Sequence, residues 1–237
     1  MELFITATDT DAGKTYITAL LALAALRAKR RTAVVKLVAT GCRDGQSEDI
    51  SFIRQQLTRA IGKEAVEEMC TLATLECFSF PASPHLAADR EGRVLEPERL
   101  LRGLQGFRDS FEILLLEGVG GLMVPLNRQL LLIDLIKVLE MDTLLVAKSW
   151  LGTINHTLLS LEALDRRQIP TRAVMLNSGG GLEDVPESYL HPDIISDNRR
   201  IIEGFGARPV LGPVPKQPDV AEALSSIKDQ ADDLLGL

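Results

Sequence analysis

Hydrophobic positions along this chain follow two periods. Short runs that are apolar throughout, such as Ile113 to Leu116 and Leu144 to Val146, read as strands covered on both faces. Stretches with apolar residues three or four apart read as helices that pack on them. The pattern predicts strands at 3–6, 32–38, 112–116, 143–147, 172–176 and 209–214. It predicts helices at 14–30, 48–58, 63–69, 97–107, 130–139, 152–167, 198–205 and 220–234. Strands alternating with helices make an α/β fold: a mostly parallel sheet with helices on both faces, in one domain over 1–237. The stretch 70–97, with Pro81, Pro84 and Gly92, shows no clean period and reads as an ordered loop. A second loop starts at Ser178 to Gly181, after the fifth strand, and runs through Pro186 and Pro192.

Ligands of an open parallel sheet lie beyond the carboxyl ends of its strands, and every predicted end here carries polar or glycine-rich residues. The first leads into Gly13, Lys14 and Thr15 and then at once into a helix. That layout is a phosphate-binding loop. Backbone N–H groups at the helix start face the phosphates, Lys14 adds a mobile positive charge, and the Thr15 hydroxyl can ligate Mg²⁺. The common spacing asks for glycine where Thr8 stands, and Ala7 is the nearest small residue. A chance Gly-Lys-Thr starting a helix is the alternative, and it leaves the preceding strand unexplained.

The other ends supply candidate partners. Glu117 sits where an apolar strand meets Gly118, Val119, Gly120 and Gly121. Its carboxylate could hold Mg²⁺ opposite Thr15, or it could cap the N–H groups of Gly120 and Gly121. Asp49 is either a second metal carboxylate or an ordinary first-turn helix acid. Lys36 lies inside an apolar strand and needs an anionic partner, which a ligand phosphate or carbamate, Asp9 or Asp11 could provide. Lys148 poses the same question more weakly. His156 reads as either a packed or a catalytic side chain, and His85 as a loop hydrogen-bonding residue. Trp150 fits core, lid or interface.

Composition narrows the function classes. The chain has 237 residues, 46% hydrophobic and 25% charged, which suits one sizeable domain. A net charge of −7 and an aromatic content of 4% argue against nucleic acid or an anionic membrane as partner. The basic cluster Arg27 to Arg31 reads as charge complementing a helix C-terminus. Cys42, Cys70 and Cys77 have neither disulfide nor zinc spacing, so a reducing cytoplasm is expected. Residues 1–30 do not read as a signal peptide, and no apolar stretch is long enough to span a membrane.

These residues resemble the dethiobiotin synthetase family of P-loop enzymes. The carrying segments are Thr8 to Thr15, Lys36 to Gly41, Ser83 to His85, Glu117 to Pro125, Gly152 to Thr157, and Asn177. The similarity runs from Phe4 to about Pro215. The resemblance implies ATP- and Mg²⁺-dependent joining of CO₂ to the vicinal diamine 7,8-diaminopelargonate. A carbamate forms, its oxygen takes the γ-phosphoryl group, and the second amine closes a cyclic urea as phosphate leaves. It implies catalytic roles for Lys14, Lys36 and Thr10. Nucleotide binding would fall to Asp11, Ala12, Gly13, Lys14, Thr15 and Tyr16, with Asn177 reading adenine beside Pro213, Val214 and Pro215. Metal would be held by Thr15, Asp49 and Glu117. Thr10, Lys36, Thr40 and Gly118 would meet the diamine or carbamate. The N–H groups of Gly152, Thr153, Ile154 and Asn155 would take the substrate's tail carboxylate from a neighbouring subunit, so a homodimer is implied.

Three positions depart from the family pattern. Ala7 replaces the first loop glycine, Leu37 a proline after the lysine, and Val119 a small alanine. Ser149 and Trp150 bear on the length of the tail pocket. Two other enzyme classes share such a loop. A cobyrinate-type synthetase would add a glutaminase domain with a cysteine nucleophile, for which this chain is too short and its cysteines lack the context. A switch ATPase of the partition or positioning type would add a lysine early in the loop, where Asp9, Thr10 and Asp11 stand, and its tail would not be acidic, as 221–237 is.

Overall fold

The first apolar run becomes β1 (Glu2–Ala7), flanked on one side by β4 (Ile113–Glu117) and on the other by β5 (Asp142–Lys148). A computed structural model describes residues 1–179, 186–215 and 217–237. With β2 (Thr32–Thr40), β3 (Cys70–Phe78), β6 (Thr171–Asn177) and β7 (Val210–Val214), these strands form one sheet in the order β3-β2-β4-β1-β5-β6-β7. Every pairing in it is parallel. The expected mostly parallel sheet with helices on both faces is therefore what the chain forms.

One face is covered by α1 (Lys14–Arg27), α2 (Glu48–Ile61), α3 (Lys63–Met69) and α9 (Val220–Leu235). The other carries α4 (Pro84–Arg90), α5 (Pro97–Ser110), α6 (Leu132–Leu139), α7 (Thr153–Arg166) and α8 (Pro192–Gly206). All of α1 except Thr15 and Arg27 is buried, because α2 and α9 flank a helix already seated on the sheet. Its Leu20, Leu21 and Leu23 have no exposed surface, each worth about 1.5–3 kcal/mol of apolar transfer.

Side-chain alternation then decides what faces α1. Ile5, Val34 and Leu115 pack in the α1 layer. Two residues further along their strands, Ala7, Lys36 and Glu117 point the same way. The buried core thus runs straight up to the charged residues at the strand ends.

Four sequence expectations need correction. The stretch 70–97 is not a loop: it contains β3 and α4. As an edge strand β3 pairs only with β2 and is half-covered, so Thr71, Thr74 and Glu76 interrupt the apolar run that marked the inner strands. The last helix before β7 starts at Pro192, not 198, with Pro192 in its first turn and the His191 ring accepting from Asp193 N at 3.3 Å. Helix α1 ends at Arg27, and Arg30 instead pairs with Glu112 at 3.0 Å. Strand β4 extends to Glu117 itself, which the pattern left just beyond the strand. Of the glycine loop after β6, Gly180 and Gly181 lie outside the described residues. No helix among the described residues is long and apolar enough to cross a membrane.

Candidate active site

The parallel register of β2 and β4 sets Lys36 directly beside Glu117. Lys36 Nζ donates to Glu117 Oε1 at 2.7 Å and pairs with Asp49 Oδ2 at 2.6 Å. Asp49 comes from the first turn of α2, whose start is capped by Ser47 accepting from Ile50 N. Thr15, in the first turn of α1, places its hydroxyl 2.8 Å from Asp49 Oδ1 and 2.9 Å from Glu117 Oε1. Four elements therefore bring two cations' worth of binding chemistry to one point. The sequence left the partner of Lys36 open. It is this carboxylate pair, not Asp9 or Asp11, and Glu117 meets Lys36 and Thr15 instead of capping the glycine turn.

Burial acts on these charges in different directions. It pushes the Lys14 ammonium down to about 8, and the like charge of Lys36 adds to the effect. For Lys36 burial also opposes the charge, but Glu117 and Asp49 outweigh it and hold the ammonium above its ordinary value. Asp49 is held below the carboxylate range, since the attraction of Lys36 and the hydrogen bonds from Lys36 and Thr15 overcome desolvation.

The donor set tests well against Mg²⁺. Glu117 Oε2 is buried with no hydrogen-bond partner among the described residues. The single proton of Thr15 can serve only one of its two carboxylate neighbours, so the other contact is oxygen against oxygen. A cation held by Thr15, Asp49 and Glu117 would relieve both. No cluster of three or more His, Cys, Asp or Glu ligands occurs among the described residues. That sparse set is the kind Mg²⁺ uses when phosphates complete its shell.

The loop after β1 is braced from behind. Gly13 starts α1 at φ 92, a conformation that glycine adopts without strain. A Cβ there would stand 1.9 Å from Asn177 Nδ2. Asn177 is fully buried: its amide donates to Ala12 O at 3.0 Å and its oxygen accepts from Gly179 N at 2.8 Å. It ties the end of β6 to the loop, and its side chain does not line the main cavity. Lys14 Nζ reaches Asp9 O at 3.3 Å.

A cavity of about 1010 Å³ opens above these groups. Thr10, Asp11, Gly13, Lys14, Thr15, Tyr16, Lys36, Thr40 and Asp49 all line it. Ala12 is buried beneath, and Gly118 faces the core, where a Cβ would meet Phe4 and Leu132 at 3.1 and 3.2 Å. Pro213, Val214 and Pro215 stay off the wall, and Gln217 and Pro218 take their place. Phe52 and Val119 also line the cavity, and the sequence reading gave neither a place there. Phe52 lies one helical turn after Asp49, a spacing that could have found it. The Gln217–Pro218 segment is anchored by Tyr16 Oη donating to Gln217 O at 3.0 Å, and by Gln56, whose amide donates to Pro218 O at 3.4 Å.

Gly152, Ile154 and Asn155 are not part of that cavity. They line a separate groove of about 520 Å³ at the start of α7, beside exposed Leu151 and Leu159, while Thr153 is buried with its hydroxyl 3.2 Å from that of Thr157. His156 is exposed on α7, so it is neither a packed side chain nor a wall of the cavity. Trp150 is buried, with Lys148 Nζ 5.5 Å from its ring centre. His85 lies in the first turn of α4, not in a loop as expected, and its Nδ1 is 3.1 Å from Oγ of Ser83 at the helix start.

Comparison with known proteins agrees with this geometry. A family described as an AAA domain matches residues 1–223. The ATP-dependent dethiobiotin synthetase BioD of Chlorobaculum tepidum is 40% identical over 217 residues, covering 88% of this chain and 85% of that protein. The one from Anaeromyxobacter dehalogenans (strain 2CP-C) is 33% identical, over 95% of this chain and 96% of its own. Among solved structures, the MinD cell division protein of Aquifex aeolicus superposes with a TM-score of 0.58 at 14% identity, over 100% of this chain and 97% of that one. A ParA family ATPase from Chlorobium tepidum TLS gives 0.56 at 11%, over 99% and 97%. Those two likenesses concern the fold. By its sequence relatives the chain belongs to the ATP-dependent dethiobiotin synthetase family, and is a ligase built on a P-loop α/β fold.

Proposed function

We propose that this protein joins CO₂ to 7,8-diaminopelargonate and closes the cyclic urea of dethiobiotin, converting ATP to ADP and phosphate. The observation that carries the reading is the convergence of Lys14, Lys36, Thr15 and Asp49 on one cavity at the strand ends, with Glu117 buried against Lys36 and Thr15 just behind its wall. One amine attacks CO₂ and loses a proton, giving a carbamate. A carbamate oxygen takes the γ-phosphoryl group of ATP and ADP leaves. The second amine attacks the carbonyl of that mixed anhydride, and phosphate departs as the ring closes.

Each step builds or moves negative charge, and positioned cations have most leverage there. Lys14 is placed for the phosphates, and Lys36 for the carbamate and the transferring group. Thr10 and Thr40 offer hydroxyls to the diamine end. Thr15, Asp49 and Glu117 would hold Mg²⁺, which would neutralise charge on the phosphates. No side chain need act as a strong base, because the nucleophile is an amine.

The α7 groove lies apart from the main cavity, yet its uncapped helix start offers backbone N–H groups suited to a carboxylate. With apolar Leu151 and Leu159 exposed beside it, this supports a homodimer in which one subunit's α7 receives the tail of substrate held by the other. Such chemistry suits the cytoplasm, where the free thiols Cys42, Cys70 and Cys77 stay reduced.

The deciding experiment measures phosphate release from ATP with Mg²⁺ and bicarbonate, with and without 7,8-diaminopelargonate, and weighs the product by mass spectrometry. Diamine-dependent release with cyclic urea formation is expected. Hydrolysis indifferent to the diamine would rule the reading out.

A further inference from the structure

Lys36 contacts both proposed metal carboxylates at once, 2.6 Å from Asp49 Oδ2 and 2.7 Å from Glu117 Oε1, and is only 4% exposed. Together with Lys14 and the two carboxylates it makes a group whose formal charges sum to zero. The oxygens are not equally occupied. Glu117 Oε1 serves both Thr15 and Lys36, whereas Oε2 is buried and free. Of the Asp49 oxygens, Oδ2 is held by Lys36, while Oδ1 lies 2.8 Å from the Thr15 hydroxyl, whose one proton it shares with Glu117 Oε1. An entering cation could add to Glu117 Oε2 without disturbing anything, but could take Asp49 Oδ2 only by displacing Lys36. The Thr15 hydroxyl can rotate and offer a lone pair to the same cation. The ammonium on Asp49 Oδ2 has no lone pair to offer and must give way if the cation is to take that oxygen.

We propose that Lys36 is the protein's own stand-in for the divalent cation, bridging Asp49 and Glu117 until the metal takes Asp49 from it. The displaced ammonium of Lys36, still carried by β2, stays beside Glu117 and turns its freed N–H toward the cavity. Metal loading thereby arms Lys36 for an anionic reactant. The identity of that reactant rests on the proposed reaction; the exchange of cations does not. Metal alone must break an ion pair buried on its lysine side and add charge to a balanced cluster, so it binds weakly. Arriving with nucleotide phosphates, it keeps the balance.

The test is a Mn²⁺ titration of the nucleotide-free protein at neutral pH, following unbound Mn²⁺ by electron paramagnetic resonance, for wild type and Lys36→Met. With the competing ammonium gone, the variant should bind Mn²⁺ at least ~10-fold tighter, a difference of about 1.4 kcal/mol. Its thermal midpoint should rise with Mn²⁺ while that of wild type does not. Equal or weaker binding by the variant overturns the proposal. Should Lys36→Met not fold, wild-type protein with isotope-labelled lysine decides. The Lys36 resonance should shift further with Mg²⁺ plus a non-hydrolysable ATP analogue than with the analogue alone, and equal shifts overturn the exchange. Neither measurement uses the diamine, so a protein that fails to make dethiobiotin can still pass, and one that makes it can still fail.

Discussion

Lys14 shows how burial prepares a side chain for its ligand. Its ammonium titrates at about 8 in the folded protein, against 10.5 for a free lysine, because the helix start and surrounding core strip its water. Between those two pH values the unfolded chain binds more protons than the native one, so this group's contribution to stability rises with pH across that window. Nucleotide binding has the opposite dependence. Phosphates need the charged form, so affinity for ATP should fall as pH rises past about 8, and binding there should take up a proton. Calorimetry in buffers of different ionisation enthalpy reads that uptake, and Lys14→Arg should abolish it. Uptake that persists in the arginine variant would assign it to another group. The neighbouring Gly13→Ala puts a methyl onto Asn177 Nδ2 and an L-residue at φ 92. The strain is of order 1–3 kcal/mol, and we expect the Asn177–Ala12 tie to break and KM for ATP to rise at least ~10-fold. An unchanged KM in steady-state kinetics would show the loop indifferent to that brace.

Among the secondary-structure elements, the inner strands and their helices were legible because burial on both faces writes long apolar runs. Strand β3 was not, since an edge strand is covered by one neighbour and tolerates polar residues. What fastens it is side-chain chemistry that pattern reading does not weigh. Glu76 is buried and pairs with Arg93 and, at 2.8 Å, with Arg99 from α5. Arg93 also donates to Cys77 O at 2.6 Å and lies 4.4 Å over the Phe78 ring. Glu76→Ala should cost about 1.5–3 kcal/mol in urea unfolding, the range for lost hydrogen bonds to charged groups. Turnover at saturating substrates should be unchanged, because no member of the network lines the cavity. A lowered turnover number would mean that β3 helps shape the site.

For the whole molecule, the proposed dimer makes the sharpest claim. A groove at the start of α7, separate from the phosphate site, is hard to use within one subunit. Leu159 is 56% exposed on its rim. Leu159→Glu should give a monomer by sedimentation and raise KM for the diamine at least ~10-fold, with KM for ATP unaltered. A variant that remains dimeric with both constants intact would remove α7 from the interface.

The sequence alone was enough to determine the α/β class, the order of its inner strands and helices, and the phosphate loop with Lys14 and Thr15. Each of these is written in neighbouring residues: a run, a period, or a strand–glycine–helix junction. It could also name Lys36, Asp49 and Glu117 as charged residues in need of partners. It could not join them, because their pairing depends on strand register and on where the start of α2 comes to rest. Only the folded sheet decided that Lys36 lies between the two carboxylates, that Asn177 braces Gly13 from behind, and that Gly152, Ile154 and Asn155 face a different groove. Such contacts cross tens of residues of chain, and packing sets their distances while local pattern carries no record of them.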